Sequence, residues 1–346
     1  MNDSANRPRV LVGMSGGVDS SVTVALLREQ GYEVQGAVIL FSPAHEKAVA
    51  EAQTAARQLD VPLTVLDAQA DFTKYVVEPF CASYCAGRTP NPCLLCNPNV
   101  KFKVLLQAAD RLGCEKIATG HYARTRQDAD GVWRIHRPAS EARDQTYMLY
   151  GLGQDVLSRL VLPLGEYQKP EIREMARKAQ LECADAPDSM EICFIPDGDH
   201  AAYIAARGLH APAGQFISPD GKPLGPNLGI EHYTVGQRKG LGLALGKPAF
   251  VREIRPDGDV VLGWGGEEFF TKVWLKDFVT PDGQPLPSGE YLVKIRSAAK
   301  AVPAMWNGSD ELIFTPAVRA PAPGQSAVFY KGDAVVGGGV IERAER

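Results

Sequence analysis

Apolar positions open this chain as a short unbroken run, Val10-Leu11-Val12, and then change period. A continuous run of that length suits a strand buried on both faces of a parallel sheet. From Val18 onward the apolar residues Val22, Val24, Ala25, Leu26 and Leu27 fit one helix that ends before Gly31. The alternation continues: residues 33–40 read as a second strand, 44–59 as helix, 63–66 as a third strand and 72–84 as helix. Further on, 100–112 reads as helix, 116–119 as strand, 132–136 as one strand of a small hairpin, and 144–149 as the opening of a helix. Residues 170–179 follow as helix, with Pro170 at an N-terminal position where its missing N–H costs little. Strand–helix alternation predicts an α/β domain whose parallel sheet carries helices on both faces, with any ligand at the carboxyl ends of the strands. Pro90, Pro92 and Pro98 break the pattern and predict a stiff, irregular loop before residue 100.

From about Leu209 the texture changes: Gly and Pro become frequent and short alternating runs replace helical ones. Strands are expected at 250–254, 260–262, 291–295, 311–314, 326–330 and 335–336, and Trp264, Trp274 and Trp306 are expected in a β-barrel core. The expected division is 1–207 for the α/β domain, 208–269 for a small central domain and 270–346 for a C-terminal β-barrel.

The first strand and first helix are joined by Gly13-Met14-Ser15-Gly16-Gly17-Val18-Asp19-Ser20-Ser21. Gly16 and Gly17 let the backbone approach a bound group closely, and the N–H groups of a helix start favour an anion. Ser15, Ser20 and Ser21 add hydroxyls. The Walker A loop is excluded because no lysine stands at the turn, and the dinucleotide fingerprint because the glycine spacing is wrong. What remains, Ser-Gly-Gly-x-Asp-Ser, resembles the PP-loop of the ATP pyrophosphatases, which adenylate a substrate oxygen and release pyrophosphate. That resemblance implies that the loop amides and Ser15 cradle pyrophosphate and that Asp19 helps hold Mg²⁺.

Composition narrows the class. At 346 residues, 45% hydrophobic and 23% charged, the chain has the make-up of a soluble globular protein with room for two or three cores. No membrane span and no signal pattern is apparent, so a cytoplasmic protein is expected. A formal charge of −4 does not argue for nucleic acid, although a local basic groove can coexist with an acidic whole. Seven cysteines in such a chain suggest catalysis or metal binding before disulfides.

Several separated stretches together resemble the bacterial tRNA-specific 2-thiouridylase (MnmA) family. They are the PP-loop at 13–21, residues 87–103 with Gly87-Arg88-Thr89-Pro90-Asn91-Pro92 and the cysteines after it, residues 119–122, 144–149 and 188–195, residues 233–242 with Tyr233-Thr234-Val235-Gly236-Gln237-Arg238-Lys239-Gly240, and residues 324–330. The resemblance implies ATP-dependent adenylation of the C2 carbonyl of wobble uridine 34, then sulfur delivery from a cysteine persulfide charged by a cysteine desulfurase or sulfur-relay protein. It implies Cys193 as persulfide carrier and Cys96 as its partner thiol. Gly13, Met14, Ser15, Gly16, Gly17, Val18, Asp19, Ser20, Ile39 and Gly120 would contact ATP. Asn91, Pro92 and Cys93 would meet the target base, and Arg143, Asp144, Gln145, Arg296 and Ser297 the tRNA.

The chain departs from that pattern in two places. Relatives carry Asp, a proposed general base, where this chain has Cys93, and Arg296-Ser297-Ala298-Ala299 lacks the usual aromatic and extra basic residues, leaving Lys294, Arg296 and Lys300. Cys93 creates a C-x-x-C with Cys96 which, together with Cys193, could ligate a [4Fe-4S] cluster that delivers sulfur instead of a persulfide. Cys81, Cys85, Cys93 and Cys96 also match a loose zinc pattern, and a noncatalytic zinc-stabilised RNA-binding module is the alternative class. Arg88, Lys101 and Lys103 flank the cysteines and would favour a thiolate.

Overall fold

The computed structural model describes residues 7–187 and 192–346. Five parallel strands form the first sheet in the order Leu63–Asp67, Glu33–Leu40, Arg9–Gly13, Lys116–Thr119, Leu160–Val161. Side chains of the first strand alternate: Val10 and Val12 pack with Val24, Leu27 and Ala52 on one face, while Leu11 packs with Leu105 and Ile117 on the other. The chain leaves Arg9–Gly13 toward one side for the next two strands and returns to its other side for Lys116–Thr119. That reversal opens a crevice at the carboxyl end of the first strand. No helix among the described residues is long and apolar enough to cross a membrane.

A four-stranded sheet follows, in the order Ala249–Ile254, Val260–Trp264, Gln215–Ile217, Pro223–Pro226, around Phe216, Tyr233, Val251 and Leu262. Six later strands, from Phe269–Val279 to Ala334–Glu345, close into an antiparallel barrel because the first of them pairs with the last. The hairpin of Arg124–Gln127 and Trp133–His136, which belongs to the first domain by sequence, is appended to that barrel's last strand through Ala334 and His136.

The proline-rich stretch is more regular than its sequence suggests. Pro92–Cys96 is an α-helix, Asn97–Lys101 a π-helical turn and Phe102–Leu112 the continuing α-helix. Pro92 sits in the first turn, where no N–H is needed, and Asn91 caps the helix by accepting from the Cys93 N–H at 3.1 Å. The π-turn contains Pro98, the residue that an unbroken α-helix would reject. The expected helix at 144–149 is only the 3₁₀ turn Thr146–Leu149. The last strand runs for 12 residues through Gly337, Gly338 and Gly339. A Cβ on Gly338 would lie 2.6 Å from the Tyr150 ring, so the glycines admit the first domain against the barrel. Of the tryptophans, Trp306 is in the barrel core; Trp264 and Trp274 are half-buried under Lys247 and Arg343 instead.

The first domain and the barrel meet through buried polar groups. Tyr147 donates its hydroxyl to the Ser326 carbonyl at 2.8 Å and accepts from the Ser326 N–H at 3.1 Å. Tyr150 bonds the Ser326 hydroxyl at 3.0 Å and Thr146 the Tyr330 hydroxyl at 2.9 Å. Tyr147→Phe would leave both backbone groups of Ser326 unpaired in a water-free contact, at a cost of about 1–3 kcal/mol. The expected result is a lower denaturant midpoint, without loss of far-ultraviolet circular dichroism in water.

Candidate active site

The loop after the first strand is shaped by its own side chains. Gly16 has φ +80°, and a Cβ there would stand 2.5 Å from that of Glu51. The Ser20 hydroxyl accepts from the Ser15 N–H at 3.1 Å and donates to the Gly17 carbonyl at 3.1 Å, and the Ser21 hydroxyl also donates to that carbonyl at 3.1 Å. These two hydroxyls therefore hold the turn and do not point at an anion. Met14 and Val18 place their side chains in the core, so any part they play falls to the backbone. What the loop presents is the exposed Ser15 and the helix Val18–Glu29, whose N-terminus has no side-chain cap. Such an end attracts phosphate.

Asp19 faces a lysine. Lys169, buried at 7% exposure, reaches both carboxylate oxygens of Asp19 at 2.8 Å, and the Tyr122 hydroxyl donates to Oδ1 at 2.8 Å. No local signal ties Lys169 or Tyr122 to the loop; packing of Val18, Val22 and Leu26 on Ile172 and Ala176 brings Lys169 there. Oδ2 accepts from Lys169 at 2.8 Å, and a carboxylate oxygen can take a second partner, so the Mg²⁺ expected on Asp19 would bind through that oxygen. Gly120 closes the crevice: a Cβ would lie 2.9 Å from the Asp19 carbonyl carbon and from the Ser20 nitrogen. Ile39 lines the same region from the core of the neighbouring strand.

The thiols stand at the same end of the sheet. Cys96 is buried, Cys93 and Cys193 are exposed, and all are free. Burial pushes Cys96 up to about 11 against the opposing pull of Lys101. The protein mass around Cys193 pushes that thiol up to about 12; nearby Cys93 and Cys96 add to the rise and Lys101 again opposes it. One buried and one exposed, Cys96 and Cys193 are a protonated pair at neutral pH.

The model of the tRNA methyl transferase HUP domain matches residues 8–197, the tRNA methyl transferase PRC-barrel domain residues 202–262 and the aminomethyltransferase β-barrel domain residues 272–341. The tRNA-specific 2-thiouridylase MnmA of Carboxydothermus hydrogenoformans is 44% identical, with 99% of each chain covered. That of Clostridium perfringens is 43% identical, over 97% of this chain and 99% of the relative. The chain belongs to the tRNA-specific 2-thiouridylase family. A solved 4-thiouridine synthetase–RNA complex with bound ATP overlaps 52% of this chain and 43% of that one, at 18% identity and a TM-score of 0.35.

In this 2-thiouridylase, several residues expected at the RNA make defined contacts within the protein. Asp144 is buried in an ion pair with Lys294 at 3.3 Å and caps Thr146. Gln145 accepts from the Tyr122 N–H at 2.8 Å. Arg296 donates to the carbonyls of Val235 and Ala320 at 2.8 and 2.9 Å, tying the central domain to the barrel. These side chains hold domains together, and neither Lys294 nor Arg296 is a loose cation for phosphate. Arg143 does face an open cleft of about 450 Å³, shared with Lys169, Arg173 and Arg177. Ser297 lies on the turn after the strand Gly289–Lys294, and Pro92 opens the thiol helix. Residues 188–191 of the Cys193 motif lie outside the described residues.

Among the described residues, no three His, Cys, Asp or Glu side chains converge as metal ligands. Cys93, Cys96 and Cys193 form no such group there, and neither do Cys81 and Cys85 with Cys93 and Cys96. Gly120→Ala is expected to lower ATP affinity at least about tenfold, since the loop must shift to admit the methyl group; equilibrium dialysis with labelled ATP checks this, and an unchanged Kd would contradict the close packing.

Proposed function

We propose that this protein is a tRNA 2-thiouridylase that uses ATP to adenylate the C2 oxygen of uridine 34, then replaces it with sulfur carried as a persulfide on Cys193. The observation that carries the reading is the placement of an uncapped PP-loop helix and a buried–exposed thiol pair at one end of one sheet. The C2 carbonyl is a poor electrophile because its ring nitrogens donate into it; adenylation makes its oxygen a leaving group. The chain's part is to hold the phosphates on the loop amides and Ser15, with Gly120 and Asp19 fixing that loop. Methyl transfer, which two of the matching model descriptions name, would leave the phosphate loop and both thiols without a task.

In the sulfur step Cys96 thiolate attacks the Cys193 persulfide. A Cys96–Cys193 disulfide forms, hydrosulfide leaves, hydrosulfide adds at C2 and AMP departs. A dithiol reductant then reopens the disulfide, and a cysteine desulfurase or sulfur-relay protein recharges Cys193. Cys93 stands where the family resemblance puts a proposed general base, and Asn91 caps the thiol helix.

With tRNA present, the protein should exchange labelled pyrophosphate into ATP. Cys193→Ser should keep that exchange and lose 2-thiouridine, measured by nucleoside mass spectrometry after digestion. Loss of both, or exchange without any tRNA requirement, would contradict the two-stage reading. Because both thiols sit above their ordinary range, the thiolate fraction grows through neutral pH. The sulfur step should therefore rise about tenfold per pH unit between about pH 6.5 and 8.5; a flat profile would show that thiolate formation does not limit it. Thiolation that tracks iron content in anaerobically purified protein would replace the persulfide by a cluster.

A further inference from the structure

Lys101 ends the π-helical turn that follows Cys96 directly, a local distortion frequent at functional sites. It is half-buried, and among the described residues its ammonium has no ion pair and no hydrogen bond. The other cations near the sheet's carboxyl end are already engaged: Lys169 with Asp19, Lys294 with Asp144. The two further basic residues that flank the cysteines in sequence lie elsewhere, Arg88 in the turn between domains and Lys103 beside the Tyr75 ring.

Lys101 lies one π-helical turn after Cys96, the Phe102 ring next to it meets the His121 ring at 6.0 Å, and Phe194, next to Cys193, packs on Phe72, which also meets the His45 ring; the Lys101 charge acts on all four groups, Cys96, Cys193, His45 after the second strand and His121 after the fourth. The ammonium therefore stands among the thiol pair and the crevice. Both imidazoles are neutral at pH 7, His121 pushed down to about 3 and His45 also lowered, burial being the first cause in each. His45 is 9% exposed; its Nδ1 bonds the Ser42 hydroxyl at 2.9 Å while its Nε2 has no partner. An unpaired ammonium and an unpaired imidazole nitrogen, half or wholly out of water, mark a place completed by something that arrives.

We propose that Lys101 is a catalytic residue of sulfur transfer, its ammonium serving as counter-ion to the negative charge that passes from Cys96 to hydrosulfide and then to departing AMP. The proposal rests on the persulfide reading above. One negative charge is conserved throughout. It begins on Cys96 sulfur, moves to hydrosulfide as the Cys96–Cys193 bond forms and the Cys193–sulfane bond breaks, and ends on AMP as C2–S forms and C2–O breaks. Adenylation releases the N3 proton of the base to solvent, the proton of hydrosulfide returns to N3 as C2–S forms, and the disulfide takes two electrons from the dithiol reductant. One fixed ammonium serves every stage.

The test uses Lys101→Met and Lys101→Arg in the full chain, both checked by circular dichroism. Without tRNA or ATP, iodoacetamide labelling at fixed pH is followed for each cysteine by peptide mass spectrometry. Lys101→Met should slow labelling of Cys96 and Cys193 about tenfold, the effect of one pK unit, and Lys101→Arg should restore it; the half-buried Cys183, beside Ser21, should not change. With tRNA and ATP, single-turnover thiolation by persulfidated Lys101→Met should fall about a hundredfold or more while pyrophosphate exchange stays within roughly threefold. Unchanged labelling of both thiols would overturn the proposal, as would loss of exchange in step with thiolation or failure of arginine to rescue. If the unmodified protein shows neither exchange nor thiolation, the 2-thiouridylase reading fails, and the labelling ratio still decides whether Lys101 is the counter-ion of the thiols.

Discussion

The close contact of Gly87-Arg88-Thr89 with two other domains is the constraint on which the rest of the structure depends. A Cβ on Gly87 would lie 2.6 Å from Ile254 of the central domain, and one on Gly324 of the barrel would lie 2.9 Å from the Thr89 nitrogen. Thr89 donates its N–H to the Pro323 carbonyl at 2.8 Å and its carbonyl accepts from Gln325 at 2.9 Å. Its hydroxyl reaches Thr234 of the central domain at 3.3 Å. Two residues later Asn91 caps the helix that carries Cys93 and Cys96. The turn that joins the domains therefore also sets where the partner thiol begins.

The same joint continues through Asp144–Lys294 and the tyrosines on Ser326. Removing one partner of a buried ion pair costs about 3–5 kcal/mol, because the survivor is left charged without water. The barrel and the first domain are thus held in one arrangement by polar groups that tolerate no slack, and this suits a crevice that must align a phosphate loop with two thiols. Motifs that look like RNA contacts by residue type turn out to be joints: charged and hydroxyl side chains serve either purpose, and burial decides which.

The resting state is chemically quiet. Both thiols are protonated, both histidines beside Lys101 are neutral, and Asp19 is neutralised by Lys169. Thiols held protonated resist adventitious oxidation, and this applies to Cys96 and Cys193 alike.

Sequence alone determined the α/β class, the loop between the first strand and helix and the β-rich second half. Short-range rules suffice there, because unbroken apolar runs, a glycine turn and alternating strands are local properties. The helix inside the proline loop and the strand through Gly337, Gly338 and Gly339 were not legible, since proline and glycine break regular structure unless neighbours from elsewhere require them there. Only the tertiary structure decided that Asp19 pairs with Lys169, 150 residues away, that Asp144 and Arg296 are joints, and that Lys101 stands unpaired among four groups. Those outcomes depend on which charges end up out of water and beside one another, and no spacing along the chain encodes that distance.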